Sequence, residues 1–71
     1  MNGLEVITAV LHTLQHHLQR DDLADKDNLF LQAEYNMIVK TAEQHYYPMT
    51  RYKTWLFEQN YYRAMRRGEI T

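Results

Sequence analysis

The chain has 71 residues, enough for one domain at most, and a domain of this size is marginally stable without a partner or a covalent staple. It has no cysteine, which excludes disulfides and thiolate metal sites, and no apolar run approaches the roughly 18–20 residues that cross a bilayer. Hydrophobic residues make up 45% of the chain, which indicates a folded protein, not a disordered one. We expect it to be cytoplasmic, without a membrane partner, because its N-terminus lacks the pattern of a signal peptide.

Charge is unevenly distributed along the chain, although the net charge is only −1. Residues 1–34 carry two basic and six acidic side chains, a net −4. Residues 51–71 carry five basic and two acidic side chains, a net +3. Either the basic end binds an anionic partner, or the two ends attract each other within the fold or across a dimer.

Apolar residues spaced three and four apart predict a first helix over about residues 3–19. Asn2 is a candidate cap for this helix, with Glu5 three residues later in a capping-box arrangement. At about 100° per residue, one face of the helix carries a continuous apolar stripe. The stripe consists of Leu4, Ile7, Leu11, Leu14 and Leu18.

A second apolar stripe predicts a helix over about residues 28–46. Asp22 and Asp27, in the polar segment before it, are the candidate caps. The helix is expected to end before Pro48, because a proline disfavours helical geometry in the residue that precedes it. The stripe consists of Leu31, Tyr35, Ile38, Ala42 and Tyr46.

A third helix is predicted over about residues 50–67, with Thr50 as a candidate cap. Arg66 and Arg67 suit the negative end of its dipole, and Gly68 supplies the left-handed residue that commonly stops a helix. The expected fold class is therefore all-α, a compact three-helix bundle with short connections that forms a single domain over residues 1–71.

The third helix is apolar on two sides, whereas a surface helix of a three-helix protein needs only one apolar stripe. One arc holds Tyr52, Trp55, Leu56 and Tyr62. Roughly opposite lie Phe57, Tyr61, Ala64 and Met65. We hypothesise that Phe57, Tyr61 and Met65 bind a partner, either another protein or a second copy of the chain. The alternative is that the third helix is central and buries both arcs.

Three arginines near the end of the third helix are further candidates for partner binding. Arg63, Arg66 and Arg67 interleave with aromatic residues, a pattern that can contact phosphates and bases. A DNA-binding regulator is therefore the alternative function. The sequence pI of about 6.4 argues against a dedicated DNA-binding domain, which is usually strongly basic.

Patterns for catalysis and metal binding are weak. His12 and His16 are four residues apart on one helix face, a spacing that can bind zinc, but they point away from the leucine stripe, which favours a solvated or interface face. The chain has no serine, no cysteine and no glycine-rich phosphate loop. We therefore expect no enzymatic activity, no cofactor and no metal.

The stretch from Tyr35 to Val39, followed by Trp55, resembles part of the theta accessory subunit of bacterial replicative DNA polymerase. That family is also a short three-helix protein, and the resemblance implies a stabilising role as a subunit. The family has a proline where this chain has Ile38, and the first helix shows no likeness, so we do not assign the chain to it. From the residues themselves we expect a small protein–protein interaction module, a regulatory, inhibitory or accessory subunit of the kind that phages and plasmids often encode.

Overall fold

The computed structural model describes residues 2–69, and these form three α-helices and no strand. Helix α1 spans Gly3–Leu18, α2 spans Asp25–His45 and α3 spans Thr50–Arg66. The expected all-α three-helix bundle is confirmed. Helix α2 is the central element, because both α1 and α3 pack mainly against it. No helix in this range has the length and apolar character needed to cross a membrane.

Helix α1 begins as the sequence predicts. The side chain of Asn2 caps it, since the backbone N–H of Glu5 donates to Asn2 Oδ1 at 2.8 Å. This bond satisfies one of the N–H groups that the first turn leaves without a partner. Leu11 and Leu18 lie on the face of α1 that points away from solvent, and both are buried in the core.

Helix α3 ends at Arg66, and Gly68 follows it as the predicted left-handed residue, with a φ angle of +77°. The Gly68 N–H donates to the carbonyl of Met65 at 3.0 Å, and the Glu69 N–H donates to the carbonyl of Ala64 at 2.9 Å. This pair of bonds is the Schellman motif, which satisfies the last carbonyls of a helix.

The predicted caps of α2 and α3 are wrong. Helix α2 begins three residues earlier than expected, after Ala24, and no side chain caps it. Asp22 instead forms a salt bridge with Arg20 at 2.9 Å, while Asp27 lies inside the first turn, so neither can act as the cap. Thr50 is the first residue of α3, and the residue at the cap position is Met49.

The core is small and is shared by the three helices and the α2–α3 connection. Val39, which the predicted stripe omitted, is buried, whereas Tyr46 is about half exposed because it lies past the last turn of α2. Met49, in the connection, is also buried. The buried hydrophobic residues are Leu11, Leu18, Tyr35, Val39, Ala42, Met49 and Leu56.

The bundle leaves more surface in contact with solvent than is usual for its mass. Its extents are 41 × 20 × 15 Å and its radius of gyration is 13.0 Å, against about 11 Å for a typical chain of this length. Its accessible surface is 5192 Å², whereas the usual scaling gives about 4,700 Å² for 8.6 kDa. The residues in contact with solvent include large apolar ones, among them Phe57, Leu29 and Phe30, which are 75%, 67% and 64% exposed.

Candidate interaction surface

The outer arc of α3, defined by Phe57, Tyr61 and Met65, is exposed. Phe57 is 75% exposed, Tyr61 46% and Met65 47%. The three side chains follow one another at intervals of four residues and therefore lie on consecutive turns of one helix face. The alternative in which α3 buries both of its apolar arcs is thus wrong, because α2 and not α3 occupies the centre of the bundle.

The inner arc of α3 faces the core, with one exception. Leu56 is buried, and Tyr52 and Trp55 pack partly buried against the core. Tyr62 was expected beside them, but it is 53% exposed. Its ring meets the ring of Tyr61 edge-on, with centroids 5.9 Å apart, so Tyr62 extends the outer arc and supports Tyr61.

A groove of about 310 Å³ runs between α2 and α3 beside the outer arc. Leu29 of α2, which is 67% exposed, and Ala64 of α3 both line it. The Asn60 amide donates to Gln32 Oε1 at 3.1 Å across the two helices. Leu29 and Ala64 are the two apolar residues of this groove, and its other lining residues are polar or charged: Asp25, Asn28, Gln32, Asn60, Arg63, Arg67 and Glu69. The sequence pattern missed Leu29 because that residue lies outside the predicted apolar stripe.

The three candidate arginines contact the acidic segment around the start of α2, and two of them, Arg63 and Arg67, also line the groove. Arg63 is 13% exposed, and its Nη2 donates to the Leu23 carbonyl at 2.8 Å and to Asp25 Oδ1 at 3.2 Å. Arg67 donates to both carboxylate oxygens of Asp25, at 2.8 and 3.1 Å. Arg66 pairs with Asp21 at 3.1 Å.

These ion pairs explain the uneven charge of the sequence. Hydrogen bonds from Arg63 and then Arg67 lower the pKa of Asp25 below its ordinary value. Three arginines of the basic end are thus paired with Asp21 and Asp25 of the acidic end within the fold. At 100° per residue, Arg63, Arg66 and Arg67 lie about 120–160° around α3 from Tyr61, the centre of the outer arc, so the six predicted site residues do not form one surface.

A buried hydroxyl joins all three helices on the side away from the groove. The Tyr35 hydroxyl of α2 donates to the Tyr52 carbonyl of α3 at 2.9 Å and accepts from Gln15 Nε2 of α1 at 3.0 Å. Burial raises the pKa of Tyr35. His12 lies 3.2 Å from Gln15 Oε1, and its ring packs edge-on against Tyr52. His12 therefore belongs to the packing between α1 and α3.

The second candidate for metal binding, His16, is exposed on the same helix. Within residues 2–69, no group of three or more histidine, aspartate or glutamate side chains has the arrangement of a metal site. Comparison of the chain with protein-family models, curated proteins and solved structures finds no match. These comparisons give no support to the resemblance to the theta subunit. Evidence for a function therefore comes from the surface described above.

Proposed function

We propose that this chain is a small protein–protein interaction module, a regulatory, inhibitory or accessory subunit that acts in the cytoplasm and binds through the outer arc of α3. The observation that carries the proposal is the exposure of Phe57, Tyr61 and Met65 on consecutive turns. Contiguous exposed apolar surface of this kind marks interaction sites, and Tyr, Phe and Met are enriched in the cores of interfaces.

The size of the patch indicates how much of it a partner must cover. An aromatic side chain offers roughly 200 Å², so the exposed parts of Phe57 and Tyr61 amount to about 240 Å². At about 25 cal/mol per Å², covering both rings contributes about 6 kcal/mol before the entropic cost of association, which is of similar size or larger. A stable complex therefore also needs to cover Met65 and Leu29.

We do not propose the DNA-binding alternative. A phosphate would have to compete with Asp25 for Arg63 and Arg67, and with Asp21 for Arg66, at distances of 2.8–3.2 Å. Catalysis is not part of the proposal either, because the chain offers neither serine nor cysteine as a nucleophile.

The proposal is tested by comparing the wild-type chain with one variant in the arc and one outside it. Tyr61→Glu places a charge in the centre of the arc, whereas Val6→Glu places the same charge on α1 at a residue of matched exposure, 47% against 46%. Each tagged chain is purified from its native cells, and the proteins that accompany it are quantified by mass spectrometry.

We expect the wild-type and Val6→Glu chains to retain the same accompanying protein and Tyr61→Glu to lose it, because an unpaired buried charge opposes binding. Circular dichroism should show equal helix content in all three chains. Equal recovery of every accompanying protein with the three folded chains would contradict the proposal.

A further inference from the structure

We propose that a second copy of this chain occupies the outer arc of α3, an inference that rests on the proposed function. The two copies of α3 run antiparallel, and the two-fold axis passes through Tyr61. Four observations carry this assignment: the spacing of the arc, the groove beside it, the exposed area, and the placement of charge.

The spacing of the outer arc is symmetric about Tyr61. Phe57 precedes it by four residues and Met65 follows it by four. In an isologous interface each contact occurs twice, with the two partners exchanged. A two-fold axis through Tyr61 brings the two Tyr61 rings together and sets Phe57 of each copy at the level of Met65 in the other. Ring–ring and sulfur–ring contacts of this kind are favourable.

The groove lies where the same two-fold axis would place Phe57 of the second copy. Ala64 is on the same side of the arc as Phe57, toward α2, since the two residues are seven apart and differ by about 20° around the helix. The two-fold axis therefore brings Phe57, at 75% the most exposed large apolar residue, to Ala64 and Leu29 of the other copy. The groove there has about 310 Å³, which is large enough for a phenyl ring; beyond Leu29 and Ala64 its walls are polar, and they include the paired Asp25 and Arg67.

The exposed area suits a dimer of ordinary size. The surface of 5192 Å² exceeds the expected value by about 500 Å². A standard interface covers about 800 Å² per partner. The outer arc together with Leu29 supplies more than half of that as apolar surface, and the groove walls can supply the rest. Shared burial would also enlarge the core of a chain that is small for independent stability.

Charge does not oppose the approach of two copies. The outer arc itself carries no charged residue, and the net charge of each copy is only −1. Arg63 and Arg67 line the groove, where both are paired with Asp25, and Arg66 is paired with Asp21. Like-charge repulsion across the two-fold axis is therefore small.

Cysteine cross-linking of the full chain tests both the partner and the orientation, because the natural sequence has no cysteine. A Tyr61→Cys variant should form a disulfide-linked dimer under mild oxidation. Phe57→Cys and Met65→Cys should each remain largely monomeric alone, since eight residues of helix separate the paired positions by about 12 Å, beyond disulfide reach. Mixed together, these two variants should cross-link. Val6→Cys, at an exposed residue of α1 outside the arc, is the control and should not form a disulfide-linked dimer.

Sedimentation equilibrium of the unmodified chain gives the second readout. We expect a mass twice the 8.6 kDa of one chain. Tyr61→Glu should weaken the dimer roughly 30-fold or more, the effect of a central interface residue, while Val6→Glu should leave it unchanged.

Three results would overturn the assignment. These are a monomer at all concentrations without Tyr61→Cys cross-linking, efficient cross-linking of Phe57→Cys and Met65→Cys each with itself, or a dimer that Tyr61→Glu leaves intact. The first result does not decide the proposed function. That function fails only if Tyr61→Glu also leaves the proteins recovered from native cells unchanged.

Discussion

Replacing Tyr35 by phenylalanine removes one buried oxygen atom at the point where the three helices meet. The hydroxyl makes two hydrogen bonds, one to the Tyr52 carbonyl and one from the Gln15 amide. The ring itself is fully buried and stays in place, so its contacts with the core, including Trp55 at a centroid distance of 5.7 Å, are retained.

The expected loss of stability follows from these two bonds. Each hydrogen bond contributes about 0.5–1.5 kcal/mol net, so the free energy of unfolding should fall by about 1–3 kcal/mol in Tyr35→Phe. In a domain of this size, a loss of about 2 kcal/mol lowers Tm by roughly 10 °C. Tyr47→Phe is the matched control, because Tyr47 lies outside the outer arc, is 48% exposed, and makes no side-chain hydrogen bond within residues 2–69.

Urea unfolding followed by circular dichroism measures this loss, with all chains at one concentration because association shifts apparent stability. Alkaline pH provides a second readout. Burial raises the pKa of Tyr35, so the wild-type chain should keep its stability below the ordinary tyrosine pKa and lose it as pH rises through the folded value. The variant should lack that step. An unfolding free energy within about 0.3 kcal/mol of wild type, below the smallest contribution of a single hydrogen bond, would refute the reasoning.

Three further predictions concern local features. Gly68→Ala should lower the free energy of unfolding by about 1 kcal/mol because φ is +77°, whereas Gly68→Asn should cost less; equal melting of the two variants would contradict this. Asn2→Ala should cost about 1 kcal/mol through loss of the cap to Glu5, and Asn2→Asp should retain the cap; unchanged urea unfolding of Asn2→Ala would exclude the cap as a stabilising contact. Because its arginine partners lower the pKa of Asp25, their stabilisation should be present at neutral pH and lost as pH falls through the folded pKa. Thermal melts between pH 7 and 2 should show a smaller acid dependence for Asp25→Asn than for wild type, and identical profiles would show that the pairs contribute nothing.

Local signals explain why the helices could be predicted from the sequence. Apolar spacing of three and four residues reports which face of a helix is buried, and Asn2 and Gly68 act on backbone groups within three to five residues of themselves. The exposed outer arc of α3 was also predictable, since the helix has more apolar faces than a small bundle can cover. The start of α2 was not, because no side chain caps it and the crowded aspartates offered several false candidates.

By itself, the sequence determined the three helices and the surplus of aromatic surface on the last one, because both depend on periodicity within one segment. Only the tertiary structure decided that Asp25 binds Arg67 across 42 positions, and that Tyr35 joins Gln15 to Tyr52. The tertiary structure alone also showed that the exposed Leu29 of α2 lines one groove together with Ala64 of α3. These contacts depend on how the helices are arranged in space, and spacing along the chain does not encode which residues of separate helices meet.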